Sequence, residues 1–184
     1  MKKEILEWIK SIGLALVLAL GITYFITGTR VHGASMNPTL EHEDFLIVIN
    51  NKNIKHGDIV IVDTNLEITS RDIEGLGPIG KFKIGKTKKL IKRVVAIEGD
   101  SIEISNGQVF LNGEKLKENY INGSDTTGNI FIEKIPEGKV FVMGDNRGNS
   151  LDSRSGEIGL VDIEDIKGKA VLRLYPFSKV GKLK

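Results

Sequence analysis

Three stretches of this chain carry residue types able to do chemistry. The first is Gly33-Ala34-Ser35-Met36-Asn37-Pro38-Thr39-Leu40, where a serine hydroxyl sits in a turn whose backbone is restricted by Pro38. The second is Leu90-Ile91-Lys92-Arg93-Val94-Val95-Ala96-Ile97-Glu98-Gly99-Asp100. As a strand it puts Leu90, Lys92, Val94 and Ala96 on one side and Ile91, Arg93, Val95 and Ile97 on the other. Both faces are otherwise apolar, so the strand is expected to be covered on both sides, and two adjacent cations there need partners. The third is Met143-Gly144-Asp145-Asn146-Arg147-Gly148-Asn149-Ser150-Leu151-Asp152-Ser153-Arg154, a dense polar loop after an apolar strand.

The two cations differ in what burial does to them. Arginine keeps its proton inside proteins, so Arg93 must meet a carboxylate or reach water. Lysine can lose its proton, because burial and a neighbouring arginine both lower the ammonium pKa. A neutral Lys92 amine could then take a proton from a serine hydroxyl, as in Ser-Lys variants of the serine-protease arrangement. Lys92 could equally snorkel to water or pair with an acid, and Ser35 could be no more than a turn or cap residue. In the third stretch, Asp152 with Arg154 could form a buried or semi-buried brace, and Ser150 could orient a neighbouring amine.

The composition narrows the alternatives. There is no cysteine, which excludes a disulfide scaffold, a thiol nucleophile and a thiolate zinc site, but leaves the compartment open. A net charge of +2 gives no electrostatic case for nucleic-acid binding. Hydrophobic and charged contents of 40% and 27% suit a folded chain, and 184 residues suffice for one domain with a core.

The N-terminal segment predicts an anchor. Residues 11–29 are uncharged, and as a helix they would rise about 28 Å, close to the thickness of a hydrocarbon core. Trp8 and Tyr24 fall near its two ends. Lys2, Lys3 and Lys10 precede it and Arg30 follows, so the positive-inside rule predicts a cytoplasmic residue 1–10 segment, a transmembrane 11–29 segment and an extracytoplasmic 30–184 domain. A cleavable signal peptide is the competing reading, although the apolar stretch is long and no Ala-x-Ala site follows it.

Beyond Asp44 the pattern predicts a mostly β, antiparallel domain. Phe45–Ile49, Ile59–Val62, Leu90–Ile97, Val140–Met143 and Ala170–Tyr175 read as strands. Ser101–Ser105 and Gln108–Leu111 flank Asn106-Gly107, a strong hairpin signal, and Asn112-Gly113 ends that hairpin. Thr64–Lys89, rich in glycine and lysine, reads as a long loop that could touch anionic headgroups but is read first as solvated.

With these blocks in this order behind an apolar segment, the chain resembles the bacterial type I signal peptidases. The resemblance implies a Ser-Lys dyad serine endopeptidase that removes signal peptides from exported preproteins at the phospholipid membrane, with neither metal nor cofactor. By matching positions, Ser35 would be the nucleophile and Lys92 the general base. Ser150 would hydrogen-bond the lysine amine, Asp152 and Arg154 would brace the site, and Asp145 would be structural. Some members carry a serine at the position of Gly33, where its hydroxyl helps stabilise the oxyanion. Here that role would fall to backbone N–H groups, chiefly that of Ser35, as in Gram-positive members. The chain's short length further implies a reduced accessory β lobe.

Overall fold

The computed structural model describes residues 2–69, 85, 87–121, 123 and 125–183. One helix, α1 (Lys2–Phe25), leads into strands that form two antiparallel sheets. The large sheet has the order β1 (Ile26–Arg30), β2 (Phe45–Ile49), β11 (Ile166–Tyr175), β3 (Ile59–Glu67), β4 (Thr87–Ala96), β9 (Lys139–Met143) and β10 (Val161–Asp162). The short β12 (Gly181–Lys182) pairs with β11 outside that path. The small sheet runs β7 (Glu114–Lys115), β6 (Gln108–Leu111), β5 (Ile102–Ser105) and β8 (Ile130–Ile132).

The mostly antiparallel β architecture expected from the sequence is present, but the N-terminal boundary differs. α1 ends at Phe25, and Ile26–Arg30, partly assigned above to the apolar helix, instead pairs with β2 from Ile26↔Ile49 to Arg30↔Phe45. Ile26, Thr27 and Thr29 are β-branched and suit a strand, and β2 offers an edge whose backbone groups need partners. Among the described residues no helix is long and apolar enough to cross a membrane. The large apolar side chains described on α1, including Leu6, Trp8, Ile12 and Val17, are nevertheless more than half exposed.

Three apolar clusters fix the sheet positions that matter. Val31, Met36, Leu40, Leu46, Val48, Ile59, Ile61 and Ala170 bury one face of the large sheet. Val60, Val62, Val94, Val140, Val142 and Ile166 bury the other. Val95, Ala96, Ile102, Ile104, Val109, Phe141 and Met143 join the two sheets. Since successive strand residues face opposite sides, Ile59 and Val60 of β3 belong to different clusters, and they lie opposite Arg93 and Lys92 respectively. The hairpin at Asn106-Gly107 has positive φ at both residues, as a tight two-residue turn needs. Asn112-Gly113, expected to end the hairpin, turns the chain once more into β7. Of the expected long loop, β3 takes the residues up to Glu67 and β4 those from Thr87. Residues 70–84 and 86 lie outside the described part.

Candidate active site

The loop 31–44 is anchored by its apolar residues. Met36 and Leu40, four residues apart and joined by Leu40 N–H donating to Met36 O at 2.9 Å, are 1% and 0% exposed in the first cluster. Burying both holds the turn down and leaves Ser35 beside the end of β9. Asn37 N–H closes the turn on Ala34 O at 3.1 Å.

The dense loop after β9 then grips that turn by its backbone. Asn146 N–H donates to Ser35 O at 3.0 Å, and its side-chain amide donates to Ala34 O at 3.0 Å. Gly144 is needed where the two segments touch. A Cβ there would stand 2.4 Å from Ser35 O and 2.2 Å from Ser150 Oγ, well inside van der Waals contact. Asn146 was not singled out in the sequence; the signal missing there was knowledge of which backbone carbonyls it would face.

Lys92 extends from β4 to meet this turn, its Nζ 2.8 Å from Ser35 Oγ. As an ammonium it donates to the hydroxyl; once neutral, it accepts the hydroxyl proton. Lys92 is 2% exposed. Its pKa falls from 10.5 to about 8, first because burial disfavours the charge. The Asp152 carboxylate opposes this, Arg154 adds to it, and Asp145 opposes it again. The arginine that lowers this pKa is Arg154, not the adjacent Arg93.

Arg93 is otherwise engaged. Its Nε and Nη2 donate to the two Asp145 oxygens at 2.8 and 2.7 Å, both side chains being almost fully buried. Nη1 donates to Gly57 O, and the guanidinium lies 4.1 Å from the Tyr120 ring centroid. Asp145 is thus a bidentate partner, the geometry in which a buried arginine is best satisfied.

Asp152, which is buried, and Arg154, which is partly so, form a second brace. Arg154 Nε and Nη2 donate to Asp152 Oδ1 and Oδ2 at 2.8 and 2.9 Å, and Gly144 N–H donates to Oδ2 at 3.0 Å. Burial alone would raise the Asp152 pKa, but these donors outweigh it and hold the carboxyl below its ordinary value. Ser150 departs from the expectation. Its Oγ is buried but forms no hydrogen bond to Lys92 among the described residues. Its hydroxyl lies near enough to Asp152 to help lower that pKa, without the geometry of a formed bond.

A further pair went unread in the sequence. Buried Arg147 donates through both terminal nitrogens to Glu118, through Nη1 to Thr126 Oγ1 at 2.5 Å, and through Nε to Gly144 O at 3.1 Å. Glu118 lies 29 residues away in a segment with no apolar pattern, so only the fold reveals the partnership.

A dry lysine amine against a serine hydroxyl, held on an antiparallel β scaffold, is an arrangement suited to acyl transfer. The model of the family described as signal peptidase, peptidase S26, matches residues 5–175, and the chain belongs to that family. It is 37% identical to signal peptidase I P of Bacillus subtilis subsp. natto, over 100% of this chain and 95% of that one. Signal peptidase IB of Staphylococcus aureus (strain COL) is 36% identical, over 97% of this chain and 94% of that protein. A solved signal peptidase I from Enterococcus faecalis V583 overlaps with a TM-score of 0.42 at 22% identity, covering 63% of this chain and 97% of that one.

Proposed function

We propose that this peptidase removes N-terminal signal peptides from exported preproteins by a Ser-Lys dyad mechanism, with Ser35 as nucleophile and Lys92 as general base. The observation that carries this is the 2.8 Å approach of Lys92 Nζ to Ser35 Oγ at a lysine whose pKa is lowered by burial to about 8. Neutral Lys92 takes the Ser35 proton as Oγ bonds to the scissile carbonyl carbon. The resulting ammonium returns a proton to the leaving amine as the C–N bond breaks, which leaves the signal peptide esterified to Ser35. The same amine then deprotonates a water that attacks the ester, regenerating Ser35.

The Ser35 N–H is the donor for the oxyanion, and no acceptor takes it among the described residues. Asn146 holds the carbonyls on either side of that N–H, which keeps the donor aimed. Arg93–Asp145 and Asp152–Arg154 are the supporting pairs, and Ser150 acts on the amine only through Asp152.

Membrane anchoring belongs to the same proposal. Ten large apolar side chains described as exposed on α1 would cost roughly 1.5–3 kcal/mol each if left in water, so α1 is inserted into a bilayer. The excess of lysines before the apolar segment sets a cytoplasmic N-terminus and places the β domain outside.

The test is cleavage of a purified preprotein by the full chain in detergent. Ser35→Ala, Lys92→Ala and Lys92→Arg should each lose processing while keeping the far-UV spectrum of a folded chain, the last because guanidinium stays charged. Processing retained by Lys92→Arg would overturn the dyad.

A further inference from the structure

The loop that carries Ser35 is closed at its base by two backbone bonds. Val31 N–H donates to Asp44 O and Glu43 N–H to Val31 O, each at 2.9 Å. This pairing brings His32 on the outgoing arm against His42 and Glu43 on the returning arm. One ligand atom from each of the three lies within 4.8 Å of the others. The imidazoles meet edge to face with centroids 6.0 Å apart. We propose that His32, His42 and Glu43 bind one divalent transition metal of the Zn2+ class, and that its binding slows turnover at Ser35. The effect on turnover rests on the proposed role of Ser35; the binding does not.

Two imidazoles and one carboxylate are the donors of a three-ligand zinc site with an open fourth position, and they discriminate against Mg2+, which prefers an all-oxygen octahedron. Tetrahedral ligands at zinc distances stand about 3.3 Å apart. The side chains therefore need to close by up to about 1.5 Å, which rotation about their χ angles supplies. Glu43 keeps Oε2 on Arg30 Nη1 at 2.6 Å and offers Oε1, which is 3.6 Å from His42 Nε2. The Arg30 charge opposes a cation here, so the site is expected to bind zinc more weakly than a closed structural one.

The link to turnover follows from proton positions. Gly33 N–H donates to His42 Nδ1 at 3.2 Å, so a neutral His42 carries its proton on Nε2. A metal on Nδ1 would take the lone pair that accepts from Gly33. A metal on Nε2 would shift the ring proton to Nδ1, with the same loss. Either route releases Gly33, which stands at φ +85° two residues before Ser35. The turn that presents the nucleophile then loses one of its restraints.

Calorimetric titration of the full chain in detergent with ZnCl2 and with MgCl2 tests the site. The expected result is one Zn2+ per chain, at least tenfold weaker binding in His32→Ala and in His42→Ala, and no comparable Mg2+ binding. Zinc binding unchanged in the doubly substituted chain would overturn the site. The visible spectrum of a Co2+ complex of the unsubstituted chain, intense if tetrahedral, provides a readout that needs no variant to fold; its absence also counts against the site. In preprotein cleavage, Zn2+ should lower kcat several-fold for the parent chain, reversibly with EDTA, and much less for His32→Ala. Equal inhibition of both would overturn the coupling. A chain that binds zinc as described but cleaves nothing would instead refute the peptidase reading.

Discussion

If neutral Lys92 is the base, the pH dependence of kcat/KM should carry its titration on the acid limb. With a pKa of about 8, roughly a tenth of the amine is neutral at pH 7, half at pH 8, and nine-tenths at pH 9. The rate constant should therefore rise about tenfold from pH 7 to pH 9, with unit slope at the acid end, and then flatten. An ordinary lysine near 10.4 would instead give a rise of about a hundredfold over the same interval, with no plateau before pH 10. The sign follows from the structure. Burial acts against the ammonium most strongly, Arg154 acts the same way, and Asp152 and Asp145 only partly restore it. The assay is steady-state cleavage of a signal-peptide substrate in detergent, at substrate levels well below KM so that the free enzyme's groups are reported. A limb centred near 10.4, or one centred near 6.5 as a histidine base would give, would refute the reasoning.

Three further outcomes follow from the same geometry. Lys92→Met should be inactive yet more stable at neutral pH by about 3 kcal/mol, since the parent buries a group whose folded pKa is about 8 against 10.5 unfolded. Because the pKa is depressed, the parent's deficit is full below pH 8 and shrinks as pH rises to about 10.5, so urea denaturation at pH 7 and pH 10.5 should show the two chains converging. Gly144→Ala should cost most of the activity, because its Cβ would overlap Ser35 O and Ser150 Oγ; kcat of the folded variant is the readout. Asp145→Ala should destabilise the chain by about 3–5 kcal/mol by stranding the buried Arg93 guanidinium, measured as a fall in the urea midpoint.

Local chemistry explains which features were legible in the sequence. β2 was readable to its residue limits because Phe45–Ile49 is an unbroken apolar run bounded by Asp44 and Asn50. β3 and β11 were underestimated, since their polar extensions, to Glu67 and from Ile166, are held by neighbouring strands rather than by composition. The end of α1 was misplaced because Ile26 to Thr29 are as uncharged as the helix before them, and only pairing with β2 distinguishes them. At the site, Lys92 stood out as a cation among apolar strand residues, and Ser35 through its turn. Arg147–Glu118, the Asn146 clamp and the actual setting of Ser150 depend on contacts between distant segments, which no local pattern encodes.

Mass analysis of preprotein turnover quenched in acid tests the central claim most directly. The expected product is an adduct in which the C-terminal carboxyl of the signal peptide is esterified to Ser35, absent from both Ser35→Ala and Lys92→Ala. Cleavage proceeding at the parent rate in either variant, or an adduct mapped to a residue other than Ser35, would contradict it.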